Sequence, residues 1–170
     1  MGSDVLHFCI VREQIIAPVV PKAVRWIVDS DLEALARSFH EEQDQGWTIE
    51  EWLELRNEGY LYCGHFSGSR LCSMAGIWKR APDVWEVIAV NTRTGCRRRG
   101  MARAVVHFAV RHILEHVMVA SYTTLSNNVG SIHTAQSLGF RPCANLIGIG
   151  NWCALSGRPA ARAPECPLHV

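Results

Sequence analysis

Hydrophobic positions alternate with polar ones in some parts of the chain and recur every three or four residues in others. Residues 22–28 alternate and are rich in β-branched side chains, and residues 84–92 form a nearly continuous apolar run. Both patterns predict strands. Residues 101–116 contain neither proline nor glycine and carry apolar side chains at helical spacing, which predicts a long helix.

Capping signals predict two further helices before residue 60. Thr48, followed three residues later by Glu51, forms a capping box that opens a helix ending near Gly59. Ser30 caps an earlier helix over residues 31–40.

A turn at Ser67-Gly68-Ser69 separates two strand-like segments, residues 60–66 and 70–78, and predicts an antiparallel hairpin. Later in the chain the pattern predicts a strand, a helix capped by Asn128 and two closing strands, at residues 117–122, 129–138, 140–143 and 146–155.

The order of elements predicts an α/β fold. We expect a central, mostly antiparallel sheet with one parallel strand–helix–strand unit over residues 84–122, and about four helices on its faces. Residues 22–156 form the expected domain. Residues 1–21 form an N-terminal extension, either an extra edge strand or a loose arm, and residues 157–170 form an irregular C-terminal tail.

Composition limits the classes of function. The chain has 170 residues, 48% of them apolar, which suits one compact domain. A net charge of +1 gives no general attraction to nucleic acid or membranes, and no segment resembles a membrane span or a secretory signal, so we expect a cytoplasmic protein. The 7 cysteines are odd in number and lack a C-x-x-C pair, which predicts reduced thiols without a disulfide framework or zinc site.

A basic stretch, Arg97-Arg98-Arg99-Gly100, lies between the predicted strand at residues 84–92 and the helix at residues 101–116. The start of a helix exposes unpaired backbone N–H groups and the positive end of the helix dipole. The guanidinium groups add positive charge, and glycine lets a ligand approach the backbone. This turn therefore predicts an anion site suited to phosphate.

The motif Arg97-x-x-Gly100-x-Ala102 resembles the Gln/Arg-x-x-Gly-x-Gly/Ala signature of the GNAT superfamily of acyl-CoA N-acyltransferases. A second stretch, in which Asn128 opens a helix that ends in Leu138-Gly139-Phe140, is similar to the next conserved block of that superfamily. The resemblance covers nearly all of the predicted domain. It implies an acyl-CoA co-substrate, most simply acetyl-CoA.

The resemblance also implies where the coenzyme binds. Backbone N–H groups of residues 98–102, helped by Arg97 and Arg99, would hold its pyrophosphate. Its pantetheine arm would pair with the end of the strand, where a backbone N–H would polarise the thioester carbonyl. The implied coenzyme-binding residues are Val90, Asn91, Thr92, Arg97, Arg98, Arg99, Gly100, Met101, Ala102, Asn128 and Ser131.

Glu86 is the candidate general base. It lies eleven residues before Arg97, where some members of the superfamily carry a glutamate base on this strand. Strict alternation would place it on the face shared by Ile88, Val90 and Thr92, where it could accept a proton from an ammonium group. The alternative is a glutamate at the start of a strand that pairs with an arginine or a lysine.

The proton donor of the superfamily is a tyrosine seven residues after the asparagine that opens the helix, and Ala135 occupies that position. Either the thiolate leaves without an acid, or another group such as Tyr122 or Ser131 donates the proton. The departure also supports an alternative function, a coenzyme A-binding module with little catalysis that acts through protein contacts.

The stretch His112-Ile-Leu-Glu115-His116 matches the H-x-x-E-H zinc motif, but we favour an interpretation without metal. Arg103, His107, Arg111 and Glu115 recur every four residues and predict a solvated stripe along the helix. The terminal histidines suit the negative end of the helix dipole.

These features predict an N-acyltransferase, most simply an N-acetyltransferase, that moves an acetyl group from acetyl-CoA directly to an amine. We expect the acceptor between the first two helices and the carboxyl ends of the parallel strands. No motif distinguishes a small amine, an antibiotic, a peptide N-terminus or a protein lysine. Nucleic acid and membrane partners are not expected, and the sequence leaves a homodimer open.

Overall fold

A computed structural model of the chain describes residues 4–16, 21–32 and 48–143. Within these ranges seven strands form one sheet: β1 (Val5–Ile10), β2 (Val24–Trp26), β3 (Leu61–Ser67), β4 (Arg70–Ala81), β5 (Val84–Thr92), β6 (Val119–Leu125) and β7 (Arg141–Pro142). The α-helices are α1 (Ile49–Asn57), α2 (Met101–His116) and α3 (Val129–Ser137). The strand order across the sheet is β2-β3-β4-β5-β6-β1-β7.

Strands β5 and β6 run parallel, and the other strand pairs of the described sheet are antiparallel. This mixed sheet confirms the predicted fold class. The described residues contain three α-helices, where about four were expected. The predicted helix at residues 31–40, the closing strand at residues 146–155 and the tail lie largely or wholly outside the described residues. None of the described helices is long and apolar enough to span a membrane.

Local sequence signals place several elements as predicted. In the capping box of α1, Glu51 N donates to Thr48 Oγ1 at 3.2 Å and Thr48 N donates to the Glu51 carboxylate at 2.7 Å. Gly68 adopts a φ of 61° in the tight turn between β3 and β4, where a side chain would be strained. Both the capping box and the hairpin are therefore confirmed.

Two apolar clusters cover the two faces of the sheet. The larger one joins Val87, Ala120 and Tyr122 to α2 and α3, and we call this side the α2 face. The smaller one joins Tyr62 and Met74 to Trp52 of α1, and we call that side the α1 face. Each strand of the central sheet thus has one side chain set toward each helical layer.

The N-terminal extension contributes β1, which lies second from the edge of the sheet. It pairs with β6 along its whole length and with β7 through Phe8 and Cys9. Phe8 and Ile10 are buried on the α2 face. The edge position falls to β7, a two-residue strand ending in Pro142, which is too short to show an alternating pattern.

Cys9 on β1 forms a disulfide with Cys143, which follows β7, and their Cα atoms are 6.1 Å apart. The prediction of reduced thiols is wrong for this pair. Pairing of β1 with β7 brings together two cysteines separated by 134 residues, and sequence spacing gives no sign of that. Cys63, Cys72 and Cys96 are free and buried, as expected for small apolar side chains.

His107 departs from the predicted solvated stripe of α2, because it is only 1% exposed. Arg111 and Glu115, farther along the same stripe, have 59% exposed side chains. Arg103 donates a hydrogen bond to Ser137 O at 3.2 Å, so α3 packs beside the first turns of α2. The stripe is therefore solvated only toward the carboxyl end of the helix.

Candidate functional site

Strands β5 and β6 part before they end. Their parallel register stops at Val87↔Tyr122, while β5 continues to Thr92 and β6 to Leu125. Beyond that point the two strands do not pair with each other, although β4 and β1 still cover their outer edges. The gap exposes backbone N–H and C=O groups to which an extended ligand can hydrogen bond like an added strand.

A β-bulge lies on β5 beside this opening. Ile88 and Asn91 pair with β4 residues two positions apart, so Ala89 and Val90 both stand opposite Ala75. Ala89 has a φ of 50°, a left-handed conformation that is uncommon for a residue with a side chain. Strained backbone of this kind is concentrated at ligand-binding sites.

The bulge changes which residues share a face with Glu86. Glu86 and Ile88 lie on the α1 face, and Asn91 follows them there because it pairs opposite Met74. Val90 packs against the cluster on the α2 face, and Thr92 lies on that side too. The predicted shared face of Glu86, Val90 and Thr92 is therefore wrong, since the extra residue reverses the alternation.

The end of β5 is fixed by side chains from two directions. Ser73 Oγ donates to Asn91 O at 3.0 Å and lies 2.8 Å from Thr92 Oγ1. From the following turn, Arg97 Nε donates to Thr92 O at 3.0 Å. Arg97 therefore ties the arginine turn to the end of the strand, a structural role that its place in the motif did not indicate.

The turn after β5 presents a row of donors. Arg98 and Gly100 both have left-handed backbone, with φ of 60° and 75°. A Cβ added to Gly100 would meet nothing within 4 Å, so the space beside it is open. Within the described part of the chain, the backbone N–H groups of residues 98–103 donate no hydrogen bonds, and the helical ladder begins with Ala104 N donating to Gly100 O.

The chemistry of this donor set fits a pyrophosphate. The side chains of Arg97, Arg98 and Arg99 are exposed around the free N–H groups, and the positive end of α2 points at the same place. Unpaired amides next to left-handed residues form a concave anion site, and guanidinium groups add charge-assisted hydrogen bonds.

The opposite side of the opening is built from the start of α3. Asn128 caps this helix, because its Oδ1 accepts from Ser131 N at 3.1 Å. Ser131 Oγ lies 2.7 Å from the hydroxyl of Tyr122. Tyr122 is 2% exposed, packs edge-on against Phe140, and burial raises the pKa of its hydroxyl. The three polar residues predicted from the second motif and β6 are thus brought together.

Glu86 lies elsewhere, on the α1 face. It is 5% exposed, and its Oε2 accepts a hydrogen bond from Arg80 Nη1 at 2.8 Å. Arg80 also stands over the ring of Trp78 at 5.3 Å, and Trp78 stacks on Tyr60. The carboxylate therefore has an arginine partner, as the alternative interpretation of this residue expected.

Glu86 and Tyr122, the two predicted catalytic residues, point to opposite faces of the sheet. Glu86 is paired with Ser121 across the parallel register, and Tyr122 is the next residue of β6. Because side chains alternate along a strand, Tyr122 points to the α2 face. The backbones are close, but the two side chains approach the opening from different sides.

Sequence reasoning missed Arg80 and Ser73 as partners of the site. Arg80 follows Trp78, whose pairing with Glu86 across the β4–β5 hairpin brings the two charges together. That register depends on the turn at residues 82–83, so the hairpin geometry was the available signal. Ser73 gave no signal, because a serine within an apolar strand does not announce a cross-strand acceptor.

The H-x-x-E-H stretch of α2 lies away from this opening, at the carboxyl end of the helix. The rings of His112 and His116 are 4.3 Å apart, and Trp26 and Trp85 pack against them. Among the described residues, no three His, Cys, Asp or Glu side chains are close enough together to hold a metal ion.

Three solved structures illustrate the likeness of this fold. An acetyltransferase from the GNAT family of Colwellia psychrerythraea matches with a TM-score of 0.69 and 13% identity, over 84% of this chain and 53% of that one. A GCN5-related N-acetyltransferase from Sphaerobacter thermophilus gives 0.64 and 17%, over 83% and 49%. The ribosomal-protein-alanine N-acetyltransferase from Brucella melitensis gives 0.59 and 21%, over 71% and 85%.

At these identities the structural matches support the fold alone. The chain spans about half the length of the first two chains and most of the third. No curated protein sequence matches it. The model of the acetyltransferase (GNAT) family, however, matches residues 24–140, which include the parting strands, the arginine turn and α3. The chain therefore belongs to the acetyltransferase (GNAT) family.

Proposed function

We propose that the chain is an N-acyltransferase, most simply an N-acetyltransferase, that transfers the acyl group of acetyl-CoA to an amine. The observation that carries this proposal is the opening between β5 and β6, which continues directly into the arginine turn. One continuous surface thus offers unpaired strand backbone for an extended arm and free amides for a pyrophosphate.

The residues on each side of the opening have separate tasks in this proposal. The amides of residues 98–103, with Arg98 and Arg99, would hold the pyrophosphate. The free backbone of residues 88–92 would align the pantetheine arm, while Asn128 and Ser131 would border it from α3. Acetyl-CoA would supply an activated thioester, and a backbone N–H at the bulge would polarise its carbonyl.

Glu86 is the proposed general base. Arg80 occupies its Oε2, while Oε1 has no partner among the described residues. That oxygen can accept the proton of an incoming ammonium group, directly or through water. Arg80 would keep the carboxylate oriented, as an orienting partner does for other catalytic bases. Tyr122 is the predicted proton donor, and its bond to Ser131 holds its hydroxyl on the α2 face.

The test is release of free coenzyme A thiol from acetyl-CoA with a panel of amines, together with calorimetric binding of acetyl-CoA. We expect steady turnover with at least one class of amine. We expect Glu86→Gln to lower kcat by about a hundredfold or more and to leave the Kd for acetyl-CoA unchanged. Absence of any binding or thermal stabilisation by saturating acetyl-CoA would overturn the proposal.

A second candidate is a coenzyme A-binding module that acts through protein contacts. It is supported by Ala135, which is fully buried at the position of the tyrosine expected from the family resemblance. A module predicts calorimetric binding of coenzyme A with no thiol release above the background for any amine. Turnover that is lost in Glu86→Gln would exclude it.

A further inference from the structure

The N-terminal strand places two polar side chains beside the opening. His7 on β1 is the direct partner of Thr123 on β6, and His7 Nδ1 lies 3.3 Å from Thr123 Oγ1. His7 precedes the part of the chain that the family model matches, which begins at residue 24. Both side chains are half-buried, so they retain access to solvent.

Thr123 occupies a particular position on β6. It is the first residue after the last β5–β6 pair, Val87↔Tyr122, and therefore borders the point where the strands part. It alternates with Ser121, which pairs with Glu86, so Thr123 and Glu86 point to the same face. His7 shares this face, because directly paired residues of antiparallel strands project to the same side.

Tyr122, by contrast, points to the other face and is bonded to Ser131. The polar groups that a reacting group on the α1 face would meet along β6 are therefore Ser121 and Thr123. Ser121 is fully buried, and its hydroxyl donates to Trp85 O at 3.4 Å. This leaves Thr123 as the hydroxyl of β6 that borders the opening on the side of Glu86.

We infer that Thr123 delivers a proton to the departing thiolate of the donor, and that His7 supplies this proton through the Thr123 hydroxyl. The inference rests on the proposed acyltransferase function. As the C–N bond forms and the C–S bond breaks, the electron pair of the broken bond stays on sulfur. Sulfur takes the proton of Thr123 Oγ1, which takes the proton of His7 Nδ1, while the proton lost by the amine goes to Glu86 or water. Water then reprotonates the imidazole.

Histidine suits this task because it exchanges its proton near neutral pH. The charged groups on the same face of the neighbouring strands are Glu86 on β5 and Arg141 on β7. Arg80 pairs with Glu86, and Cys143, whose N donates to His7 O at 2.9 Å, is held in the disulfide with Cys9. Thr123 would contact the leaving group, whereas His7 acts through it as a positioning residue.

The experiment compares His7→Gln, Thr123→Val and Thr123→Ser with the wild type, using His133→Gln on exposed α3 as the control. Thiol release from acetyl-CoA is followed with an amine acceptor and with water alone, so that the assay does not depend on knowing the acceptor. In the wild type we expect kcat to fall as pH rises through the imidazole titration. His7→Gln and Thr123→Val should lower kcat at least about tenfold and abolish this dependence, with KM for acetyl-CoA unchanged.

Thr123→Ser should restore both kcat and the pH dependence, because it returns the hydroxyl, and His133→Gln should behave as the wild type. Wild-type kcat and pH dependence in His7→Gln would overturn the inference and leave the proposed function standing. Loss of the pH dependence in Tyr122→Phe alone, or a kcat that rises with pH and depends on His7, would also overturn it. No thiol release from the wild type in either assay would overturn both.

Discussion

The two sides of the opening are built in different ways. The β5 side is one continuous stretch, residues 84–116, in which a strand, an anion-binding turn and a helix follow one another. The β6 side combines β6 with β1 and α3, and β1 comes from the other end of the described chain. Local patterns are enough to predict the first side. The second depends on pairings between segments more than a hundred residues apart, which loop-closure entropy opposes until the contacts form.

The difference also separates two kinds of contribution. The β5 side supplies ligand groups directly, since its free amides and exposed arginines face outward. The β6 side is held by packing at the junction of β1 with α3, where Ile16 N donates to Leu138 O at 3.0 Å. We therefore expect changes on the β5 side to act on binding, and changes at this junction to act on stability.

The largest effect is expected from Gly100→Val, on the β5 side. A β-branched residue at a φ of 75° is strained by roughly 1–2 kcal/mol, so the turn would change shape and its amides would no longer converge. Calorimetry should show the Kd for acetyl-CoA rising by about a hundredfold, equivalent to about 2.7 kcal/mol. Gly95→Ala is the matched control, since a Cβ there meets nothing within 4 Å and the backbone is not left-handed. Equal affinities for the two variants would contradict the role of the turn.

A smaller effect, on stability, is expected from Gly139→Ala at the junction of β1 and α3. The residue has a φ of 97°, and an added Cβ would lie 2.4 Å from the backbone oxygen of Gln14. The free energy of unfolding in urea should fall by about 2–3 kcal/mol. Gly130→Ala within α3 is the control and should be neutral or stabilising by up to about 1 kcal/mol, because its Cβ has room. A Gly139→Ala protein as stable as the wild type would show that the N-terminal segment is not packed against this corner.

On the β5 side the sequence predicted nearly all of the architecture. The strand at residues 84–92 and the helix at residues 101–116 have the predicted bounds, because each has a distinct period and the turn between them is marked by arginines and glycine. The bulge at Ala89 was not predictable, since a continuous apolar run gives no sign of where alternation reverses. That single residue moved Val90 and Thr92 to the face opposite Glu86.

On the β6 side the sequence predicted the elements but not their neighbours. The strand β6 and the capped helix α3 follow local signals, whereas the place of β1, the two-residue β7 and the disulfide result from long-range pairing. The candidate site shows the same division. The anion turn followed from its motif, but the Arg80 partner of Glu86 and the His7 partner of Thr123 follow from strand register.

The smallest effect we expect concerns His107, where a local prediction on the β5 side is wrong. Burial, followed by repulsion from Arg111 and Arg103, lowers the pKa of this imidazole below its ordinary value of 6.5, and neither ring nitrogen has a hydrogen-bond partner among the described residues. The unfolded chain therefore binds a proton in a pH range where the folded chain does not, and stability decreases as pH falls below about 6.5. Burial lowers the pKa of His112 in the same direction. Urea midpoints across this range should show a weaker pH dependence in His107→Leu than in the wild type, and an unchanged one in His133→Gln. A wild-type slope in His107→Leu would mean that the buried imidazole gains its proton as readily in the folded chain as in the unfolded one.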